Sequence, residues 1–312
     1  MIDALARKLL LAASTSAWLR ERATRTAFVR RSVSAFMPGE RLDDAIDAAL
    51  GEQARGAGTI FTKLGENVAT AEEAEQVVTH YLEALDRIAA AGLPAQISVK
   101  PTQLGLDLDP ASCFSRLERL VEHAGRRGNF VWIDMESSPY VDPTLALFRR
   151  LRERSDRVGL ALQAYLRRTA GDLESLMPLG PAVRMVKGAY LEPASVAFPR
   201  KADVDEQFFR LSCRMLGDRN APAGTLLHIA THDGRLVQRL GAFITERGVD
   251  DGAYEYAMLY GIQRPLQQRL LSSRRPLRVL IAYGDYWFPW YMRRLAERPA
   301  NIGFVVKNLF AS

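Results

Sequence analysis

Eight short apolar runs recur between residues 58 and 283, and a charged stretch with helical spacing follows each of them. The runs cover 58–64, 96–100, 129–134, 158–165, 183–188, 225–231, 253–259 and 277–283. Helix-patterned stretches at 70–90, 111–125, 142–153, 169–176, 202–216, 234–247 and 264–271 separate them, and another opens near Trp287. Several runs are rich in Val and Ile, and Gly, Pro or Asp flank them. Their apolar character is continuous rather than alternating, as in strands of a parallel sheet buried on both faces. Eight strands, each with its helix, predict an α/β fold of the (βα)8 barrel kind. The competing doubly wound sheet usually announces a nucleotide by G-x-G-x-x-G after its first strand. Neither that motif nor a P-loop occurs, and Gly56 and Gly58 precede the first run instead of following it.

Residues 1–50 are patterned differently. Helical spacing at 4–19 and 43–50 brackets Pro38-Gly39, without a buried strand. The expected organisation is an N-terminal helical segment over 1–50 packed on a barrel over 51–312. With 312 residues, of which 48% are hydrophobic, the chain can bury a core of that size. No stretch approaches the roughly 20 apolar residues that span a bilayer. Residues 9–13 have the flavour of a signal sequence but run on into Arg20-Glu21-Arg22. Cys113 and Cys213 are too few and too far apart for a disulfide framework or a metal knuckle, so a reducing cytoplasm and no metal are expected. The net charge of +6 comes from basic residues interleaved with acids. That distribution gives no nucleic-acid stripe and suits an anionic substrate or an anionic membrane surface.

In a barrel, chemistry collects at the C-terminal ends of the strands. Read in order, those ends carry Lys100; Asp134 and Glu136; Gln163 and Tyr165; Arg184, Lys187 and Tyr190; Thr231 and His232; and Tyr260. Arg184 and Lys187 differ in parity, so both reach the barrel axis only if the strand ends between them. A buried cation there needs an acid or an anion, and Asp134 is the nearest candidate in kind; a structural ion-pair layer is the plain alternative. His232 lies four residues from His228, about 13 Å along a strand and too far to share a metal. Thr231 and Asp233 are placed to cap the next helix, whose N-terminus suits phosphate. Lys100 at a strand end raises the Schiff-base chemistry of an aldolase. No Ser-His-Asp or Cys-His spacing supports acyl transfer.

After the last run comes Trp287-Phe288-Pro289-Trp290-Tyr291-Met292-Arg293-Arg294-Leu295-Ala296-Glu297-Arg298-Pro299, a helix opened by Asp285 and stopped before Pro299. Arg293 and Arg294 point about 100° apart, yet their long stems can converge on one anion if the helix end leans over a cavity. Glu297, four residues on, can pair with Arg293. By itself an Arg-Arg pair is ordinarily a solvated helix face. Beside an aromatic wall it suggests a small carboxylate ligand.

Four segments together resemble the flavin-dependent proline dehydrogenases: Leu162-Gln163-Ala164-Tyr165, Arg184-Met185-Val186-Lys187-Gly188-Ala189-Tyr190, Ala230-Thr231-His232-Asp233 and Tyr291-Met292-Arg293-Arg294-Leu295-Ala296-Glu297. The resemblance runs in register from Gly58 to Leu309, and Leu64-Gly65-Glu66 is similar to the bacterial single-function enzymes. It implies a distorted (βα)8 barrel holding FAD that oxidises L-proline, or a proline-like cyclic amino acid, to the ring imine. Electrons would pass to a quinone from a protein peripheral on the membrane's inner face. It further implies that Arg293, Arg294 and Lys100 bind the carboxylate, with Glu297 supporting the arginines and Asp134 bracing the cations. Arg184 would lie beside the reactive flavin nitrogen and Gln163 on the ring. Val186, Lys187 and Gly188 would hold the ribityl and phosphate portion, and Thr231 and His232 the pyrophosphate. Tyr190 and Leu259 would border the substrate.

The family's eighth strand commonly reads Tyr-x-Pro-x-Gly, where this chain has Leu280-Ile281-Ala282-Tyr283-Gly284. Trp290 stands in place of a second pocket tyrosine, and Ala257 in place of a glutamine. An altered ring wall is therefore expected around an intact carboxylate clamp and flavin site. Two other readings remain: a Schiff-base lyase using Lys100, which would be colourless, and a non-catalytic barrel that binds an anion.

Overall fold

Every apolar run becomes a strand in the computed structural model, which describes residues 33–218 and 221–296, with side chains as far as Met292. Helix α1 (Leu42–Ala54) leads into β1 (Gly58–Lys63), α2 (Ala71–Ala90), β2 (Ala95–Val99), α3 (Pro110–Arg126) and β3 (Val131–Ile133). The alternation continues through α4 (Val141–Arg152), β4 (Val158–Gln163), α5 (Thr169–Leu176), β5 (Ala182–Val186), α6 (Lys201–Leu216) and β6 (Leu226–Ala230). It closes with α7 (Gly234–Arg247), β7 (Tyr254–Leu259), α8 (Arg264–Ser272), β8 (Leu277–Tyr283) and α9 (Trp287–Ala296). The strands form a closed parallel barrel in sequence order. At the β1–β8 seam six positions pair, from Gly58 with Arg278 to Lys63 with Tyr283. Closure leaves no strand edge to protect.

Parity then sorts the side chains. Phe61, Ile97, Ile133, Leu160, Met185, Ile229, Tyr256 and Ile281 belong to the main core between barrel and helices. The register places Ile60, Ser98, Trp132, Gly159, Arg184, His228, Glu255 and Leu280 on the opposite, inner face. Each fully buried aliphatic or aromatic side chain contributes about 1.5–3 kcal/mol. The helix layer is built for this burial: α2 buries Ala74, Val78, Tyr81, Leu85 and Ile88, one stripe at helical spacing. Thr70 caps it by accepting from the Glu73 amide at 3.2 Å. Glu73 reaches back to the Ala69 amide at 2.7 Å, one residue before the cap.

Several strands are shorter than their apolar runs. The chain leaves the ladder at Ile133, Gln163 and Val186, so Asp134 and Lys187 follow the last paired residue of their strands. Helix α1 buries Leu42, Ala45, Ile46 and Ala49 and packs across the β1–β8 seam. The expected boundary after residue 50 falls inside this helix. The indole nitrogen of Trp287 on α9 donates to Glu40 at 3.0 Å, tying the last helix to the segment before α1. The helical pattern at 4–19 and the stop at Pro299 lie outside the described residues.

Candidate active site

The barrel interior is filled from below by charge and aromatic rings. Arg278 pairs with Glu255, with Nη2 to Oε1 at 3.0 Å. His228, fully buried, places Nε2 2.9 Å from Glu255 Oε2. Burial pushes this imidazole well below its usual pKa, to about 4. The Trp132 ring lies on His228 with centroids 4.2 Å apart, and its indole nitrogen donates to Gln96 at 2.7 Å. A Cβ on Gly159 would come within 2.6 Å of the Trp132 ring, so the neighbouring strand carries no side chain there. The Arg184 guanidinium lies 5.5 Å from the centre of the same ring.

Above Trp132 the cations converge. Arg184, only 4% exposed, makes a short ion pair with Asp134 and donates to the Ser98 hydroxyl at 2.9 Å. Ser98 in turn donates to Asp134 at 2.8 Å, and Lys100 Nζ stands 3.6 Å from the same carboxylate. Lys100, Asp134 and Arg184 are thus one cluster drawn from β2, β3 and β5. Among the described residues, Arg184 Nη1 is buried without a hydrogen-bond partner. Desolvation lowers the arginine's pKa, and Asp134 opposes that shift.

Strand β5 ends at Val186, between Arg184 and Lys187, which resolves their conflicting parity. Lys187 lies at the rim, 2.5 Å from Asp205 and 3.0 Å from Asp233, with Lys201 bound to the same two carboxylates. Burial alone would raise the Asp233 pKa; hydrogen bonds from Lys187 and Lys201 instead hold it far below the carboxylate range. Asp233 also caps α7 by accepting from the Arg235 amide. The Thr231 hydroxyl accepts from the Asp233 amide at 3.2 Å. His232 Nε2 accepts from the Leu259 amide at 2.9 Å, joining the β6 and β7 ends. Gly188 has φ 114°, and a side chain there would run into the ring of Tyr165. The loop that follows carries Tyr190 and is pinned by Glu192, which accepts from both the amide and the hydroxyl of Ser138 at 2.7 Å.

Leu280 and Leu259 are paired on adjacent strands. Leu280, half-buried, packs against the cluster formed by Ile60, Trp132 and Ala182. Ala257 is buried on the same inner face, and Trp290 is 9% exposed on α9. Arg293 and Arg294 lie on α9, but their side chains, and all of Glu297, are outside the described residues. No group of His, Cys, Asp or Glu that could hold a metal occurs among the described residues.

Sequence reasoning passed over Ser98 and Trp132. Both could have been found by counting back two residues from Lys100 and Asp134 along one strand face. It noted Glu136 without seeing its burial. This carboxyl is 3% exposed and receives the Thr102 amide at 3.1 Å and hydroxyl at 2.5 Å. Its main-chain oxygen accepts from Gln163 Nε2 at 2.7 Å, which fixes how the Gln163 amide is turned.

Burial raises the Glu136 pKa to about 7, against the hydrogen bonds from Thr102. A glutamate in the unfolded chain titrates near ~4.3. Between those values the folded protein holds a proton that the unfolded chain has released, so stability declines as pH rises through this window. Glu136→Gln copies the protonated form. It is expected to melt close to the parent at pH 5 and to be more stable at pH 8, by on the order of 1–3 kcal/mol. Thermal melts at the two pH values measure this, and a more stable parent at pH 8 would show that Glu136 works as an anion.

A family model described as proline dehydrogenase matches residues 45–307. A proline dehydrogenase of Deinococcus radiodurans is 34% identical, over 99% of this chain and 99% of that protein. Proline dehydrogenase 2 of Bacillus subtilis is 33% identical, over 90% of this chain and 91% of its own length. Among solved structures, proline utilization A from Bdellovibrio bacteriovorus, inactivated by N-propargylglycine, superposes with a TM-score of 0.79 at 21% identity. That match covers 88% of this chain and 33% of the larger protein, and it is a likeness of fold.

Proposed function

The chain belongs to the proline dehydrogenase family, and from that premise we propose FAD as its cofactor and assign its site residues. It is an oxidoreductase acting on proline, and the Schiff-base and non-catalytic readings are not favoured. The observation that carries the cofactor proposal is Arg184: a buried cation in the barrel interior with one guanidinium nitrogen that has no hydrogen-bond partner among the described residues. A flavin ring edge offers the acceptors that such a donor lacks. Gly188, with no side chain beside Tyr165, and Lys187 at the rim suit the ribityl and phosphate portion. Gln163 is held for the ring, while Val186, Thr231 and His232 fall along the same rim.

A bound FAD would supply the acceptor for a hydride leaving the ring carbon next to the proline nitrogen. The residues of the chain provide placement and charge. Arg293 and Arg294, with Lys100, take the carboxylate, and Glu297 supports the arginines. Arg184, oriented by Asp134, places positive charge where negative charge grows during transfer. Tyr190, Leu259, Leu280 and Trp290 enclose the ring and exclude water. Leu280 lacks the hydroxyl of a tyrosine, so hydroxyproline gains no partner on that side.

The electron acceptor we propose is a quinone, reached by a protein lying on the cytoplasmic face of a membrane. Among the described residues no helix is long and apolar enough to cross one. The absorption spectrum of the purified protein, before and after anaerobic L-proline, tests the cofactor: a yellow protein that bleaches supports FAD, and a colourless one overturns it. Arg294→Met tests the clamp. Loss of a charge-assisted contact of roughly 2–3 kcal/mol should raise KM for proline about a hundredfold with flavin content unchanged. An unaltered KM would remove Arg294 from the substrate site.

A further inference from the structure

We propose that Ser98 is a positioning residue for the redox site, fixing Arg184 and Asp134 through a single hydroxyl. The hydroxyl is enclosed on both sides. Ser98 is fully buried on β2; it donates to Asp134 Oδ1 at 2.8 Å and accepts from Arg184 Nη2 at 2.9 Å. A serine has one proton, so donation to the carboxylate commits its lone pairs to the guanidinium, and the order Arg184 to Ser98 to Asp134 runs one way.

The backbone at Ser98 is fixed as well. The Tyr81 hydroxyl donates to the Ser98 carbonyl at 2.9 Å and accepts from the Lys63 amide at 2.9 Å, bridging β1 and β2 from the helix layer. Lys100, two residues on along the same strand face, approaches the same carboxylate. Among the described residues Arg184 Nη1 has no hydrogen-bond partner, so the direction of the guanidinium is set by what holds Nη2. Asp134 alone can hold the guanidinium as a hinge. With the Ser98 oxygen added, Nη2 has two acceptors and the fork is held in one plane.

The inference rests on Arg184 acting at the flavin, as proposed above. Ser98→Thr and Ser98→Val are nearly isosteric and differ in the hydroxyl, so their comparison separates the hydrogen bonds from packing. The Thr variant is expected to keep at least a third of the parent kcat. The Val variant should lose about tenfold in kcat, with KM for proline within threefold. The midpoint potential of bound flavin should fall in the Val variant by up to about 30 mV, which is a tenfold change for a two-electron couple. In an Arg184→Met background the Thr and Val variants should be alike, because the group they act through is gone.

Equal kcat for Thr and Val in the parent background would overturn the proposal. So would an equal further loss from Val in the Arg184→Met background, which would make Ser98 a packing residue only. If Arg184→Met itself leaves kcat and potential unchanged, the placement of Arg184 at the flavin fails too, and the two failures are told apart. Should Ser98→Val not fold, Ser98→Ala, which removes only the oxygen, is read in its place by the same criteria.

Discussion

Arg184→Ala is expected to lower kcat by about 10²–10³-fold while KM for proline changes only a few-fold. The size follows from where the cation lies. Arg184 is 4% exposed, so solvent screens it weakly, and at the flavin, where it is proposed to act, it would interact strongly with developing charge. It is also preorganised: Asp134 and Ser98 hold it before any ligand arrives, and no reorganisation is needed during transfer. Removing a preorganised donor of this kind costs the transition state more than the ground state, which is why kcat carries the loss. Steady-state kinetics with flavin content measured in the same preparation gives the answer. A variant with parent kcat and a raised KM would move Arg184 to the substrate site.

Asp134→Ala is expected to destabilise the fold by about 3–5 kcal/mol, the usual result of stripping one partner from a buried ion pair. Here the carboxylate serves Arg184, Lys100 and Ser98 together. Its loss leaves a nearly inaccessible guanidinium beside a strand-end ammonium with no counter-charge between them. The sign can be checked by a second change: Asp134→Ala with Arg184→Met should be more stable than Asp134→Ala alone, since the stranded charge has gone. Denaturant unfolding of the two variants decides the matter. A double variant no better than the single one would mean that Asp134 acts by packing, not by charge.

The barrel was legible in the sequence because parallel strands are buried on both faces, so each wrote itself as a continuous apolar run between helical stretches. The convergence of Lys100, Asp134 and Arg184 was half legible. Strand ends nominated them, but only the register showed that β2, β3 and β5 present them on the same inner face of the barrel. Ser98 was legible only through its place two residues before Lys100 on one strand face; a single hydroxyl inside Ile97-Ser98-Val99 carries no periodic signal of its own. His232 lies two residues past the end of β6 at Ala230, and no pattern could reveal that its Nε2 receives the amide of Leu259. Such backbone partners depend on which strands become neighbours. Nor could any pattern show that Leu280 packs against the inner-face cluster of Ile60, Trp132 and Ala182.

The contact between Trp132 and Gly159 has a historical side. Because a Cβ at residue 159 would come within 2.6 Å of the indole, only one order of change was open to the two positions. An ancestor with any side chain at residue 159 had first to lose it, leaving a hollow, before an indole could arrive at residue 132. The road back is gated the same way: the rings at residues 130 and 132 must both give way before residue 159 can grow. A library that randomises residue 159 alone will therefore find Gly159 nearly immovable, and recovery of larger residues there will require Phe130 and Trp132 to vary with it.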